Sequence, residues 1–180
     1  MPAENLLVQF LAAIVLAALT ASSGTGLAGI SFDARTPNFA IPGKEGTHYL
    51  SDLRGRVVVI DFWATWCDVC TEEMKYFVRA KQTYGDRLAV VTISNELPDV
   101  AASYFRTWNI TLPLVEDTSG AIDRLYSIDK IPDTLVLDPE GRVTYVSVGG
   151  LSWDELKQAI DRAAASNPPP SSTQAPRVLH

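Results

Sequence analysis

Residues 57–70 read Val57-Val58-Val59-Ile60-Asp61-Phe62-Trp63-Ala64-Thr65-Trp66-Cys67-Asp68-Val69-Cys70. The β-branched run at the front has the unbroken apolar character of a strand covered on both faces, over Val57 to Phe62. The pattern that follows is helical: between Thr71 and Tyr84, Met74, Phe77, Val78 and the stem of Lys81 share one face. The chain's 2 cysteines therefore stand where a buried strand gives way to a helix. A helix N-terminus offers unpaired N–H groups and the positive end of a dipole, which favours a thiolate on the first sulfur. The second sulfur comes one turn later, close enough to close a ring and expel a bound thiol. This segment reads as a dithiol/disulfide device.

The rest of the chain supplies a frame for it. Leu88 to Ile93 is a second buried strand, and Pro98 suits the first turn of a helix reaching Trp108. Leu112 to Val115 reads as a short strand and Thr118 to Tyr126 as a short helix. Asp138-Pro139-Glu140-Gly141 is a turn signal between Thr134–Leu137 and Val143–Val146, which predicts a hairpin. Ser152-Trp153-Asp154-Glu155 is a capping-box start. It opens a helix with Trp153, Leu156, Ile160 and Ala163 on one stripe. Strand–helix alternation that finishes in a hairpin and a helix implies an α/β domain, a mixed sheet with helices on both faces.

Composition narrows the function classes. A length of 180 residues suits one domain with terminal extras. The net charge of -6 argues against nucleic acid and anionic membrane surfaces as partners. Two cysteines cannot build a disulfide framework or a four-thiolate metal site. A pair this closely spaced closes too small a loop to staple a fold and is better read as reversible chemistry.

The termini differ from the middle. No charged residue occurs between Asn5 and Phe32, and Leu6 to Ala21 is strongly apolar. Residues 1–30 read as a secretory signal, with Gly26-Leu27-Ala28 as a small-residue cleavage site, or as an uncleaved membrane anchor through residues 6–28. A misassigned start or a buried helix is the remaining alternative, because no Lys or Arg precedes the apolar run. Signal and anchor alike place the domain outside the cytoplasm, in a periplasm or at a cell surface. There a dithiol needs its own electron supply. Ser166-Asn167-Pro168-Pro169-Pro170 breaks the last helix, and the Pro/Ser-rich tail 166–180 lacks a core-forming pattern. The folded domain is expected over residues 31–165.

The run Asp61-Phe62-Trp63-Ala64-Thr65-Trp66-Cys67-x-x-Cys70, together with Ile131-Pro132 ahead of a strand, resembles a thioredoxin fold. Thr36-Pro37-Asn38-Phe39, the loop Leu50-Ser51-Asp52-Leu53-Arg54-Gly55, and the extra helix and strand between Ile93 and Pro132 are more specific. They resemble the TlpA/ResA-like thioredoxins of the redoxin superfamily, over about residues 36–160. The resemblance implies a thioredoxin fold with an N-terminal β-hairpin and an inserted helix and strand. It implies a thiol–disulfide oxidoreductase, with apocytochrome c or oxidised proteins as substrates by analogy alone. Protein dithiols and disulfides would be the partners, a membrane protein the electron donor, and a monomer without cofactor or metal the working form.

The resemblance and the local chemistry together assign the site. Cys67 is the attacking thiol and Cys70 the more buried resolving thiol. Asp61 matches a buried acid that relays a proton for the resolving cysteine, where burial would raise its pKa; a hydrogen-bonded structural Asp is the alternative. Many TlpA/ResA-like proteins carry a neutral residue there, so this chain departs toward ordinary thioredoxin. Glu73 matches an acidic residue near the active site of ResA-like proteins, or is a solvent-facing acid of the first helical turn. Asp68 and Val69 replace the family's usual choices between the sulfurs. A carboxylate beside Cys67 disfavours its thiolate and so favours a reductant, unless Asp68 points into water and is screened. Pro132 is expected to be cis, with Ile131 offering backbone to an extended substrate, and Asp133 replaces a common Thr. Trp63 is expected in the core and Trp66 as a surface platform beside Cys67. His48 reads as a plain surface residue.

Two other functions share parts of this pattern. A peroxiredoxin-type peroxidase would share the domain start, but its Pro-x-x-x-Thr-x-x-Cys pattern is absent. A copper chaperone would need a wider cysteine spacing and a downstream histidine, and only His180 lies downstream.

Overall fold

The computed structural model describes residues 36–43 and 46–166. The expected signal or anchor at residues 1–30 and nearly all of the tail from residue 166 lie outside the described residues. Among the described residues, seven strands and four α-helices follow in the order β1 (Ala40–Gly43), β2 (Gly46–Tyr49), β3 (Val57–Phe62), α1 (Asp68–Tyr84), β4 (Leu88–Ser94), α2 (Val100–Thr107), β5 (Leu114–Glu116), α3 (Ala121–Tyr126), β6 (Asp133–Leu137), β7 (Val143–Val148) and α4 (Trp153–Ala165). β1 and β2 form a separate antiparallel hairpin. The main sheet runs β5-β4-β3-β6-β7, with β3, β4 and β5 parallel and β6 and β7 antiparallel to their neighbours. No helix among the described residues is long and apolar enough to cross a membrane.

The sheet separates two apolar cores, and alternation along β3 feeds both. Val57, Val59 and Trp63 join Met74 and Phe77 of α1, Phe105 of α2, and Leu156 and Ile160 of α4 on one face. Val58, Ile60 and Phe62 join Phe39 and Ile41 of the N-terminal segment and Tyr126 of α3 on the other. Every residue of β3 and β4 is buried, which explains why both read as continuous apolar runs. The inserted helix α2 is seated on the strand end that leads to the cysteines. Trp63 stacks on Phe105, with ring centroids 5.4 Å apart, and tilts against Tyr104 at 5.3 Å.

Several element ends differ from expectation. α1 starts at Asp68 rather than Thr71, because the Cys67 sulfur is itself the N-cap and accepts from the Cys70 N–H at 3.2 Å. Pro98 is not in a first helical turn. The chain passes through a left-handed Asp99 (φ 66°) before α2 begins at Val100. There the Asp99 N–H donates to Glu116 at 2.9 Å, so the link to β5 rather than proline sets the start. β5 begins at Leu114, after the Pro113 carbonyl has accepted from both the N–H and the hydroxyl of Thr92. α3 begins at Ala121 because the Asp117 carboxylate caps the N–H groups of Ala121, Ile122 and Asp123.

Candidate active site

β3 ends at the centre of the sheet, and the chain leaves it over Trp63 and Ala64 into the turn that carries the cysteines. The Cys67 N–H donates to the Ala64 carbonyl at 3.2 Å, and α1 starts at the next residue. Cys67 and Cys70 form a disulfide across this helix start. Cys67 is half-buried, whereas Cys70 is fully buried. The two sulfurs therefore differ in access: the Cys67 residue is partly open to solvent, and Cys70 is closed off from it. Asp68 and Val69, between them, are exposed, and Val69 keeps 48% of its surface. Trp66 is 71% exposed beside Cys67, whereas Trp63 is buried under α2.

Two carboxyls lie on the face of the sheet that α1 covers. Asp61 is fully buried; its Oδ1 accepts from the Thr134 hydroxyl at 3.2 Å, and its Oδ2 has no hydrogen-bond partner. Burial, and after it the charge of Glu73, push the Asp61 carboxyl well above the usual range. Glu73, one turn beyond Cys70, is 2% exposed rather than facing solvent. Its Oε1 accepts from the Leu151 N–H, and its Oε2 is buried without a partner. Burial raises its pKa too, against the lowering effect of the Leu151 bond. The Gly149-Gly150-Leu151 corner ahead of α4 closes over this carboxyl. A Cβ at Gly150 would meet Val69 Cγ1 at 2.8 Å and Glu73 Oε1 at 3.1 Å. Asp133, on the opposite face of the sheet, is 9% exposed with Oδ1 unpartnered, and burial pushes it up to about 6.

The Ile131–Pro132 peptide bond is cis. It precedes β6, whose first residue, Asp133, sits opposite Phe62, the last residue of β3. Pro132 thus lies at the same end of the sheet as the cysteines, and its carbonyl accepts from the Gly149 N–H at 2.8 Å. His48 is exposed in the β1–β2 hairpin. Among the described residues, no three or more His, Cys, Asp or Glu side chains gather as a metal site.

One residue at the site escapes a reading of the sequence. Glu96, in the link between β4 and α2, accepts from the Thr65 hydroxyl through Oε1 at 2.6 Å and from the Thr65 N–H through Oε2 at 2.9 Å. Nothing in the local pattern Ser94-Asn95-Glu96-Leu97 marks it, because its partner is 31 residues away.

Comparison with known proteins agrees with this geometry. The sequence profile described as the AhpC/TSA family matches residues 33–146. The thioredoxin-like protein YneN of Bacillus subtilis is 30% identical over 169 residues, covering 87% of this chain and 99% of that protein. The thiol-disulfide oxidoreductase ResA of the same organism is 28% identical over 130 residues, covering 71% of this chain and 73% of ResA. A crystal structure of a thiol:disulfide interchange protein of the thioredoxin family from Chlorobium tepidum superposes with a TM-score of 0.65 at 26% identity, covering 75% of this chain and 99% of that one. A thioredoxin-fold sheet with a disulfide at its central helix start, matched by these relatives, places the chain in the AhpC/TSA family, among its ResA-like thiol–disulfide oxidoreductases.

Proposed function

We propose that the protein reduces disulfides of other proteins outside the cytoplasm, with Cys67 as attacking thiol and Cys70 as resolving thiol. The observation that carries this reading is the asymmetry of the pair: a reachable Cys67 at a helix N-terminus and a fully buried Cys70 behind it. In the reduced protein the Cys67 thiolate attacks one sulfur of a substrate disulfide. A Cys67–substrate bond forms, the substrate S–S bond breaks, and the other substrate sulfur leaves as a thiolate that takes up a proton. Cys70, giving its proton to an adjacent base, then attacks Cys67 and releases the second substrate thiolate, which is protonated in turn. Two electrons have passed to the substrate, and the enzyme is left as the disulfide. A membrane dithiol donor is the natural source of its re-reduction, and the charge-free apolar stretch near the N-terminus fits such a location.

Asp61 and Glu73 fit the proton side of this cycle. Burial raises both carboxyls, which moves them toward the range in which a carboxyl can accept and return a proton during the reaction. Full burial of Cys70 disfavours its thiolate, and with it the reduced form, which is the direction of a reductant. Asp68 adds little to that effect, because it is exposed and screened. Trp66, Ile131 and Pro132 are the proposed substrate-facing surface. Titration of the Cys67–Cys70 pair against glutathione or dithiothreitol tests the direction. A potential near the thioredoxin value of about -270 mV is expected, and one near about -120 mV would make the protein a disulfide donor instead.

A further inference from the structure

We propose that Glu96 is a positioning residue for the exchange reaction: its carboxylate grips Thr65 at two points and thereby fixes the turn that presents the Cys67 sulfur. The inference rests on the thiol–disulfide reading of the same site and adds a residue to it. Glu96 does not touch the cysteines; it acts through Thr65.

The geometry is a two-pronged clamp. Oε1 accepts from the Thr65 hydroxyl at 2.6 Å, and Oε2 accepts from the Thr65 N–H at 2.9 Å. Oε2 also accepts from the Ser94 hydroxyl at 3.1 Å, while the Glu96 N–H donates to that hydroxyl at 3.3 Å. Ser94 is the last residue of β4 and is 2% exposed, so the carboxylate is itself fixed from the sheet. Among the described residues, no Lys, Arg or His forms an ion pair with Glu96. Its acceptor capacity is instead directed at neutral donors of the active-site turn, and hydrogen bonds to a charged acceptor are the stronger kind.

The rest of the turn shows why a clamp is needed there. Upstream, the Trp63 N–H is tied to the Ile93 carbonyl at 3.0 Å, the last ladder-like bond of that strand. Downstream, α1 holds everything from Asp68 onward. Between these anchors stand Ala64 to Cys67, where the Cys67 N–H reaches back to the Ala64 carbonyl and Trp66 projects into solvent. Cys67 is tied to α1, and among the described residues Glu96 is the side chain from outside this bridge that hydrogen-bonds it, at Thr65. In-line attack on a disulfide requires three sulfurs in a row, so a turn that wanders loses rate without losing the fold.

The test compares Glu96→Ala, Glu96→Gln and Thr65→Ser with the wild-type chain. Second-order rates of reduced protein with an insulin disulfide are measured beside the unfolding midpoint and the Cys67–Cys70 potential. For Glu96→Ala we expect kcat/KM to fall about tenfold, chiefly in kcat, with a potential within experimental scatter of wild type. Glu96→Gln keeps one carbonyl acceptor and should fall less, and Thr65→Ser keeps both donors and should restore the wild-type rate. If Glu96→Ala does not fold, the Glu96→Gln and Thr65→Ser pair carries the same comparison. Rates within twofold of wild type across the folded variants would overturn the role, as would a loss that merely follows the unfolding midpoint. A wild-type chain unable to reduce the insulin disulfide would overturn the functional reading, and the clamp with it.

Discussion

At the scale of single residues, Asp61 is the group whose placement has the widest consequences. Its neighbours on β3 are apolar, it is fully buried, and one of its oxygens has no partner. A sequence can suggest an acid at this position by its distance from Cys67, but the unpartnered oxygen and the nearby Glu73 are properties of the packed site. Holding an ionised carboxyl there is costly, so its pKa rises and the protein binds a proton that the unfolded chain would release. The folded state then carries more protons than the unfolded one above about pH 4, the ordinary Asp value, and stability falls as pH rises through that window. Asp61→Asn removes this dependence. The variant should be more stable than wild type at pH 7 and level with it near pH 4, as read by denaturant titration across pH. A smaller slope above about pH 4 should remain, because Glu73 and Asp133, the latter pushed up to about 6, are raised in the same sense. The same substitution should slow protein-disulfide reduction by about a hundredfold at neutral pH, the lower end of the range for general acid–base groups. Unaltered kinetics in a folded Asp61→Asn protein would leave Asp61 a structural residue.

At the scale of elements, the corner Gly149-Gly150-Leu151 shows what decides the burial of Glu73. An acid near the start of a helix is ordinarily presented to water, and here a loop from late in the chain covers the second turn of α1, which carries Glu73. Gly150 lies at φ 114°, and an added Cβ would press Val69 at 2.8 Å and the Glu73 carboxyl at 3.1 Å. Gly150→Ala should therefore lift the corner off α1 and loosen the Leu151 N–H bond to Glu73. A destabilisation of about 1–3 kcal/mol is expected from the strained φ and the overpacking together. Because Ser152 and Glu155 close a capping box at the next residue, α4 itself should persist, and far-ultraviolet dichroism should stay unchanged while the midpoint drops. A wild-type midpoint would mean that the corner can shift at no cost.

The same elements show how far a sequence can be read. β3, β4 and the β6–β7 hairpin were legible because continuous apolar runs and an Asp-Pro-Glu-Gly turn have few other readings. The start of α1 was not, since a cysteine sulfur took the place of an ordinary capping side chain. The buried state of Glu73 and the hold of Glu96 on Thr65 were invisible for one reason: each depends on a partner 31 or more residues away. Local periodicity carries no record of such partners.

At the scale of the whole molecule, the direction of electron flow is a statement about folding. A dithiol enzyme closes a thermodynamic cycle in which its redox potential and the stability difference between its oxidised and reduced forms are the same quantity, measured against the unfolded chain. Strong oxidants lie at one end because their reduced form is stabilised. Here the features around the pair point the other way. Reduction opens the ring at the start of a 17-residue helix and leaves Cys70 fully buried, where a thiolate is disfavoured. The helix dipole favours a thiolate on Cys67, and that contribution is confined to the first turn and is modest, about 0.3–1 kcal/mol. The difference between thioredoxin-like and strongly oxidising potentials is about 150 mV, which corresponds to about 7 kcal/mol for two electrons. A dipole effect of that size cannot supply it, so the oxidised protein should be the more stable form. Calorimetry of the air-oxidised protein and of the same protein held under dithiothreitol is the direct comparison, with the higher unfolding temperature expected for the oxidised sample. The opposite order would require a specific stabiliser of the reduced pair outweighing the burial of Cys70, and the protein would then have to be read as a donor of disulfides rather than a reductase.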